Sequence, residues 1–497
     1  MSDQLTPISP TDDVVENPAS NSNKIEKLKR TGKPKSRRAS NTTKFIANLL
    51  REDQGKSSWI VGLMFFKSNP GFETLKRTIV DRLMVIPRFR SRLKVRRFPV
   101  TTILWEEIHL EDIDEDYHFR VVLDDGPKSV KEVNDYCGAL FDDFDHDMSK
   151  PLWQFYFIPQ LDDGRCCLVT NISHIIGDGV SQVEVLLKML DEPQQGKLEK
   201  QQSARPPRKR KPVKLGPITK ARVFLGGIWD GFFAVMGSPD PANSLRLKDV
   251  RKPSPKKNCC VTEPLDLNRV KLLKNKFEGA TINDILMTVL TLTLKAHFIE
   301  VNDEAVIKKG GRVRAQFPIN LRKRGEHALK DGVDARNKFA YGFFDFPMKS
   351  KVSRVDLVWK LKRTLDKIKQ SPSPLVQGKV GGFMARVMPL KAMNSQLLNL
   401  ANKATAQISN VAGPQDVAHL AGVEVDDLMF YLFSPLGMYI GILTYNGKLS
   451  VAISLDSTIG DPNMLAKHWN VEFEKLFDEA MAIDEETIFQ PRPCINF

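Results

Sequence analysis

The chain has 497 residues, 41% of them hydrophobic and 27% charged, with a formal charge of +14; this is the composition of a soluble globular protein with room for two or more domains. No run of 18 uncharged apolar residues occurs, so no transmembrane helix is expected, and the N-terminus lacks the charged-then-apolar pattern of a secretion signal. The six cysteines (Cys137, Cys166, Cys167, Cys259, Cys260, Cys494) have neither C-x-x-C spacing nor framework density, which argues against a disulfide scaffold, leaves metal binding without support and suits a reduced, cytosol-facing compartment.

Divided along the chain, the charge is uneven. Residues 1–23 carry −4, residues 24–38 carry +7 (eight Lys/Arg against Glu26), and residues 200–257 carry +12 (fifteen Lys/Arg against Asp230, Asp240 and Asp249), which leaves −1 for everything else. The positive charge therefore belongs to a tail and a linker rather than to a folded face. That distribution suits an anionic lipid surface and argues against a nucleic-acid partner, for which the body also lacks interleaved aromatic and basic residues.

Residues 1–41 are rich in Ser, Asn, Pro and charge and read as a disordered tail. Within it Arg37-Arg38-Ala39-Ser40 has the form of a basic-directed kinase site, or of an unused tail serine. A first domain is expected over 42–199. It opens with a strand over Trp59–Phe66, a helix over Phe72–Met84 and the block Ile86-Pro87-Arg88-Phe89-Arg90-Ser91-Arg92-Leu93, with a second helix over Ser129–Phe141. An acidic run, residues 142–147, leads into Pro151-Leu152-Trp153, where Trp153 reads more as core packing than as a substrate contact.

Arg165–Thr170 reads as a buried strand, and Val180, Val183, Leu187 and Leu190 recur at helical spacing behind it. Between them lies Asn171-Ile172-Ser173-His174-Ile175-Ile176-Gly177-Asp178-Gly179. The spacing predicts a strand-to-helix turn that bends at Gly177 and Gly179 and presents His174 at the end of a sheet. An imidazole there, with a pKa near neutrality, suits the removal of a proton from a hydroxyl group. The plainer alternative is an ordinary strand-end histidine with Asp178 as a helix N-cap.

Residues 200–258 read as a linker. It holds Arg205-Pro-Pro-Arg-Lys-Arg-Lys-Pro-Val-Lys214, which has the form of a nuclear address, followed by an apolar stretch, residues 223–237, interrupted by Asp230. A segment lying in a membrane interface, with Phe224, Trp229, Phe232 and Phe233 inserted, is weighed against a helix packed across two domains. The second domain is expected over 259–485, before a short tail at 486–497. Its elements are a helix from Thr281 to His297 with Asn283 and Asp284 in the first turn, a strand over Val313–Ile319 followed by Asn320 and Arg322, and an apolar Met-rich stretch over 380–400. Acid in a first helical turn is favoured by the helix dipole alone, so Asn283 is the better functional candidate of that pair. Two alternating strands about Asn446-Gly447 form a hairpin. Strands and helices without regular βα alternation give an α+β class.

Four stretches, in order, resemble the motifs of one family. His174-Ile-Ile-Gly-Asp178-Gly179 resembles the second half of the H-H-x-x-x-D-G motif of the wax ester synthase/diacylglycerol acyltransferase family. Pro151-Leu152-Trp153 ahead of it, and Asn283-Asp284-Ile285-Leu286 and Ser409-Asn410-Val411-Ala412-Gly413-Pro414 behind it, are similar to the others. One departure is that Ser173 stands where the family has its first histidine. The resemblance implies two similar domains of the chloramphenicol-acetyltransferase type with the active site in a channel between them. It also implies acyl-CoA-dependent esterification of a lipid alcohol, giving wax ester or triacylglycerol, with no resident cofactor and acyl-CoA as co-substrate.

On this reading His174 is the general base, and Asp178 holds the turn through a cationic partner that the sequence does not name. Gly179 and Asp284 are supporting residues; Asn283, Ser409 and Asn410 steady the oxyanion or the imidazole; Pro151, Leu152 and Trp153 touch substrate. No activated Ser or Cys nucleophile is evident, which favours direct transfer in a ternary complex. The expected location is the cytosolic face of an endoplasmic reticulum membrane or lipid droplet. Because of Ser173, a non-catalytic lipid-surface protein of the same fold stands as the alternative. The acceptor alcohol, acyl length and oligomeric state are open.

Overall fold

A computed structural model describes residues 35–39, 43, 59–96, 102–123, 125–142, 147–191, 238–322, 337–370, 390–432 and 436–482. In chain order the first half gives β1 (Ser36–Arg38), β2 (Trp59–Phe66), α1 (Phe72–Leu83), β3 (Ser91–Arg96), β4 (Thr102–Glu107), α2 (Glu115–His118), β5 (Phe119–Val121), α3 (Val130–Leu140), β6 (Trp153–Ile158), β7 (Cys166–Ser173) and α4 (Gly179–Met189). The second gives β8 (Lys257–Val261), β9 (Leu265–Asp266), α5 (Leu267–Asn275), α6 (Ile282–Glu300), α7 (Glu304–Ile307), β10 (Val313–Asn320), β11 (Phe339–Phe346), α8 (Arg354–Gln370), α9 (Leu390–Ala401), β12 (Ala406–Ala412), β13 (His419–Leu420), β14 (Val423–Leu432), β15 (Met438–Tyr445), β16 (Lys448–Asp456) and α10 (Asn463–Met481).

The class is α+β, with mixed sheets. One sheet has the order β13-β14-β2-β7-β6-β5, a second the order β11-β10-β12-β15-β16-β8 with β9 also on β16, and a small third the order β1-β4-β3. Each large sheet has its own core. Trp59, Val61, Leu63 and Phe65 of β2 enter the first core with Ile79 and Leu83 of α1, while α6 and α10 pack with β15 and β16 in the second. Helix α6 alone among the described residues is long and apolar enough to cross a membrane, but most of it is buried in that core. Its start is secured by a capping box between Thr281 and Asp284. The β15–β16 turn places Asn446 and Gly447 at φ 45° and 74°, as the hairpin signal required.

Three features depart from a division into consecutive segments. Strands β13 and β14 come from the second half of the chain, yet β14 pairs antiparallel with β2, from Val425↔Phe66 to Leu432↔Ile60. Conversely α3 of the first half lies against β8, so closely that a side chain at Gly138 would sit on the Lys257 carbonyl oxygen. The tail expected to be disordered to residue 41 supplies β1, whose register on β4 runs Ser36↔Glu106 to Arg38↔Leu104, and Ala39 is buried beyond it.

The linker likewise ends early. Leu245, Leu247 and Val250 are buried, and Asp240, 2% exposed, accepts from the Arg314 amide at 2.7 Å and Nε at 2.9 Å. Residues 205–214, 223–237 and 486–497, together with Ser40, lie outside the described residues.

Candidate active site

Side chains alternate along β7, so Thr170, Ile172 and His174 share one face and Asn171 and Ser173 the other. The first three line a cavity of about 250 Å³. Ser173 is fully buried on the opposite face, where its Oγ accepts from the Ile175 amide at 3.5 Å. The departure from the two-histidine motif thus falls on a residue turned away from the cavity.

Beyond His174 the chain turns at Gly177 and enters α4, with Asp178 as N-cap: its Oδ1 accepts from the Ser181 amide at 3.1 Å and Oγ at 3.2 Å. Its Oδ2 accepts from Arg322 Nη1 at 2.8 Å and from the Lys338 amide at 2.7 Å. Arg322 is therefore the cationic partner that the sequence could not name. Both carboxylate oxygens are used in bracing, and both arms of the pair are buried.

The second half reaches the turn at two more points. Asn337 Nδ2 donates to the carbonyl oxygens of His174 at 3.0 Å and Ile175 at 3.4 Å, and the Phe339 ring meets the His174 ring edge-on at 5.6 Å. From the other side, Arg88 stacks over Trp105 at 4.2 Å and donates to the Ile175 carbonyl at 3.1 Å. Desolvation holds the His174 pKa below its ordinary 6.5, outweighing the Asp178 charge, the residue's own carbonyl and the Asn337 side chain, which favour the charged ring. The imidazole is therefore neutral at pH 7.

Two kinds of wall enclose the cavity. On the first sheet and α4 it is mostly apolar, with Ile60, Met64, Leu186, Met189, Leu428 and Phe430. On the second sheet it carries hydroxyls and amides: Asn320, Tyr341, Gln407, Ser409, Asn410 and Tyr439. Burial pushes the Tyr341 hydroxyl up to about 12, and Tyr439 higher still, so both keep their protons.

The expected site residues divide into three groups. His174, Asp178, Gly179, Ser409 and Asn410 all line the cavity. Asn283 is joined to it through Asn410, whose Nδ2 donates to Asn283 Oδ1 at 2.5 Å. Asp284 is not part of the lining: it is fully buried, its Oδ2 accepts from the Thr281 amide at 2.7 Å and Oγ1 at 2.8 Å, and Lys369 lies 3.6 Å away.

The substrate contact expected of Pro151, Leu152 and Trp153 is corrected. None lines the cavity with His174. Trp153 is completely buried, donates from Nε1 to Phe89 O at 2.7 Å and stacks on His118 at 4.0 Å. The Leu152 carbonyl accepts from the Ser173 amide at 3.0 Å. The motif braces the strand that presents His174. Arg88, Arg322, Asn337 and Lys338 were not assigned roles from sequence; only Arg322, a cation just past a strand end, gave a local signal.

Two mixed sheets meeting at a cavity, with a histidine on its wall at a strand-to-helix turn, make the chloramphenicol-acetyltransferase-like fold. Residues 67–286 match the wax ester synthase/diacylglycerol acyltransferase catalytic domain, and residues 336–477 match the WS/DGAT C-terminal domain. The chain belongs to the wax ester synthase/diacylglycerol acyltransferase family and is an acyltransferase enzyme of lipid biosynthesis.

A protein of Mycobacterium tuberculosis (strain ATCC 25618 / H37Rv) with the provisional name diacylglycerol O-acyltransferase is 22% identical over 84% of this chain and 87% of its own length. Among solved structures, the wax ester synthase/diacylglycerol acyltransferase of Marinobacter aquaeolei VT8 matches with a TM-score of 0.61 at 16% identity, covering 89% of this chain and 99% of that one. A trichothecene 15-O-acetyltransferase from Fusarium sporotrichioides matches at 0.57 and 12% identity, covering 90% and 96%. These structural likenesses concern the fold. The non-catalytic alternative is not favoured.

Proposed function

We propose that the enzyme transfers an acyl group from acyl-CoA to the hydroxyl of a lipid alcohol, fatty alcohol to wax ester or diacylglycerol to triacylglycerol, directly in a ternary complex. The observation that carries this reading is the neutral His174 on the wall of an apolar cavity, with the neighbouring Asp178 fully engaged by Arg322, Lys338 and Ser181. His174 Nε2 takes the hydroxyl proton as the oxygen attacks the thioester carbonyl; the tetrahedral intermediate collapses with cleavage of the C–S bond, and the imidazolium returns the proton to the departing thiolate. Ser409, Tyr439 and the Asn283–Asn410 pair are the donors available to the oxyanion. The Ile60, Met64, Met189 and Leu428 wall suits a hydrocarbon chain.

The test offers the purified protein one acyl-CoA with competing fatty alcohol, diacylglycerol and sterol-like alcohol, and reads the esters formed by wild type and His174→Ala. Loss of a general base typically costs on the order of 10²–10⁴-fold. Activity of His174→Ala within a few-fold of wild type removes it as base. An isolable acyl-enzyme would overturn direct transfer.

We also propose work at an anionic membrane or lipid-droplet surface facing the cytosol. Support comes from the basic linker and from the small sheet, where cross-strand pairing puts Arg38, Lys94 and Arg92 on the face opposite buried Trp105 and Ile103, with Glu106 as the acid among them.

A further inference from the structure

His174 needs more than a lone pair to act as base. Its ring must be held in one orientation and one tautomer, and in many enzymes a carboxylate does this. Here the obvious carboxylate is committed elsewhere, since among the described residues every side-chain hydrogen bond of Asp178 runs to Ser181, Arg322 or the Lys338 amide.

We propose that Asn337, from the C-terminal half of the chain, is the positioning residue of the base, and that His174 and Asn337 form a dyad with a neutral amide in place of the carboxylate. This rests on the reading of His174 as base and deepens it. The orientation of the amide is unambiguous: both contacts of one end are to carbonyl oxygens, those of His174 and Ile175, so that end is Nδ2. Oδ1 then points the other way, where it is buried and has no partner at hydrogen-bonding geometry among the described residues.

A buried acceptor without a donor is uncommon enough to need a reason. The Asn337 side chain favours the protonated imidazole, as does the His174 carbonyl that Asn337 itself grips at 3.0 Å. A histidine's own carbonyl is within reach of its Nδ1 alone, so the proton stays on Nδ1 and the lone pair on Nε2. Catalytic hydrogen bonds are often misaligned before substrate is bound, and Oδ1 is the acceptor to which the ring N–H closes as Nε2 takes the hydroxyl proton. A neutral amide orients the ring while raising its pKa less than a carboxylate would, which preserves a base that is uncharged at pH 7.

The experiment measures kcat, KM, melting temperature and the pH profile of kcat/KM for wild type, Asn337→Leu, Asn337→Asp, His174→Ala and the His174→Ala/Asn337→Leu double variant. Asn337→Leu, similar in shape, is expected to lower kcat roughly ten- to a hundredfold with KM for both substrates nearly unchanged. Asn337→Asp places a negative charge beside the ring, so the acid limb of the profile should move to higher pH. In the His174→Ala background Asn337→Leu should have no further effect on rate. A kcat for Asn337→Leu within twofold of wild type overturns the proposal. So does a fall of kcat and melting temperature together with no movement of the acid limb in Asn337→Asp. A fully active His174→Ala would instead sink the base assignment itself, and the two failures are therefore separable.

Discussion

Asp178 sits where a sequence motif suggests proton chemistry, yet its surroundings are those of a joint. Arg322, the Lys338 amide and Ser181 occupy both oxygens, and the Asp178–Arg322 pair is buried. Removing one partner of such a pair leaves an uncompensated charge and costs about 3–5 kcal/mol. Asp178→Ala should therefore lower the melting temperature and the rate together, and Asp178→Asn should keep part of both, because an amide oxygen can still accept from Arg322. Adding Arg322→Ala to Asp178→Ala should cost little more, since the charge left behind is removed. A variant that melts like wild type but is inactive would give Asp178 a direct part in proton transfer.

At the scale of elements, the strand that presents His174 is held on one side by a neighbour outside the cavity lining. Strand β6 is buried throughout; Trp153 anchors it to Phe89, and the Leu152 carbonyl carries the last amide of β7. Helix α3 reaches across to β8, and Tyr431 of β14 donates to buried Asn134 on that helix at 2.9 Å. This contact is possible because residue 138 has no side chain. Gly138→Val would drive the Cβ itself into the Lys257 carbonyl oxygen, a backbone atom, so that no side-chain rotamer could relieve the clash. Overpacking of this kind costs roughly 1–3 kcal/mol or more. We expect a clear loss of melting temperature for Gly138→Val, measured by thermal denaturation, and a much smaller one at Gly164 or Gly447 for Ala, where a Cβ meets nothing within 4 Å and only the positive φ is penalised. Equal losses at all three would show that the α3–β8 contact is not tight.

For the whole molecule, the two halves are not separable bodies, because β14 completes the first sheet with residues drawn from the second half. The acceptor proposed above is water-insoluble, and the enzyme would have to meet it at a surface. Outside the tail and linker the chain has a charge near −1, which gives little electrostatic attraction to an anionic surface. Residues 205–214 carry six Lys/Arg, each worth about 1 kcal/mol near an anionic membrane, and the apolar stretch behind them could add the second signal that lasting attachment requires. Replacing Arg205, Arg208, Lys209, Arg210, Lys211 and Lys214 by Gln is expected to release the protein from anionic liposomes while leaving turnover of a short water-soluble alcohol intact. If the variant still floats with the vesicles in low salt, the linker is not the anchor. The basic face of Arg38, Arg92 and Lys94 would then be the next surface to neutralise.

The sequence by itself determined the local chemistry: a strand, a histidine, a turn and a capped helix from Arg165 to Leu190, because hydrophobic period and turn residues act over a few positions. It also carried the family, through four short motifs in order, and the hairpin at Asn446-Gly447. Only the tertiary structure decided which residues meet those motifs. Arg322, Asn337 and Lys338 lie more than 140 positions from His174 and Asp178, and no local pattern encodes a contact at that separation. The crossing of β14 was hidden for the same reason, since an alternating strand shows that it has a buried face but not which sheet buries it. Pro151-Leu152-Trp153 shows the converse: a motif marks residues that the fold needs, and their burial, visible only in three dimensions, separates bracing the site from touching substrate.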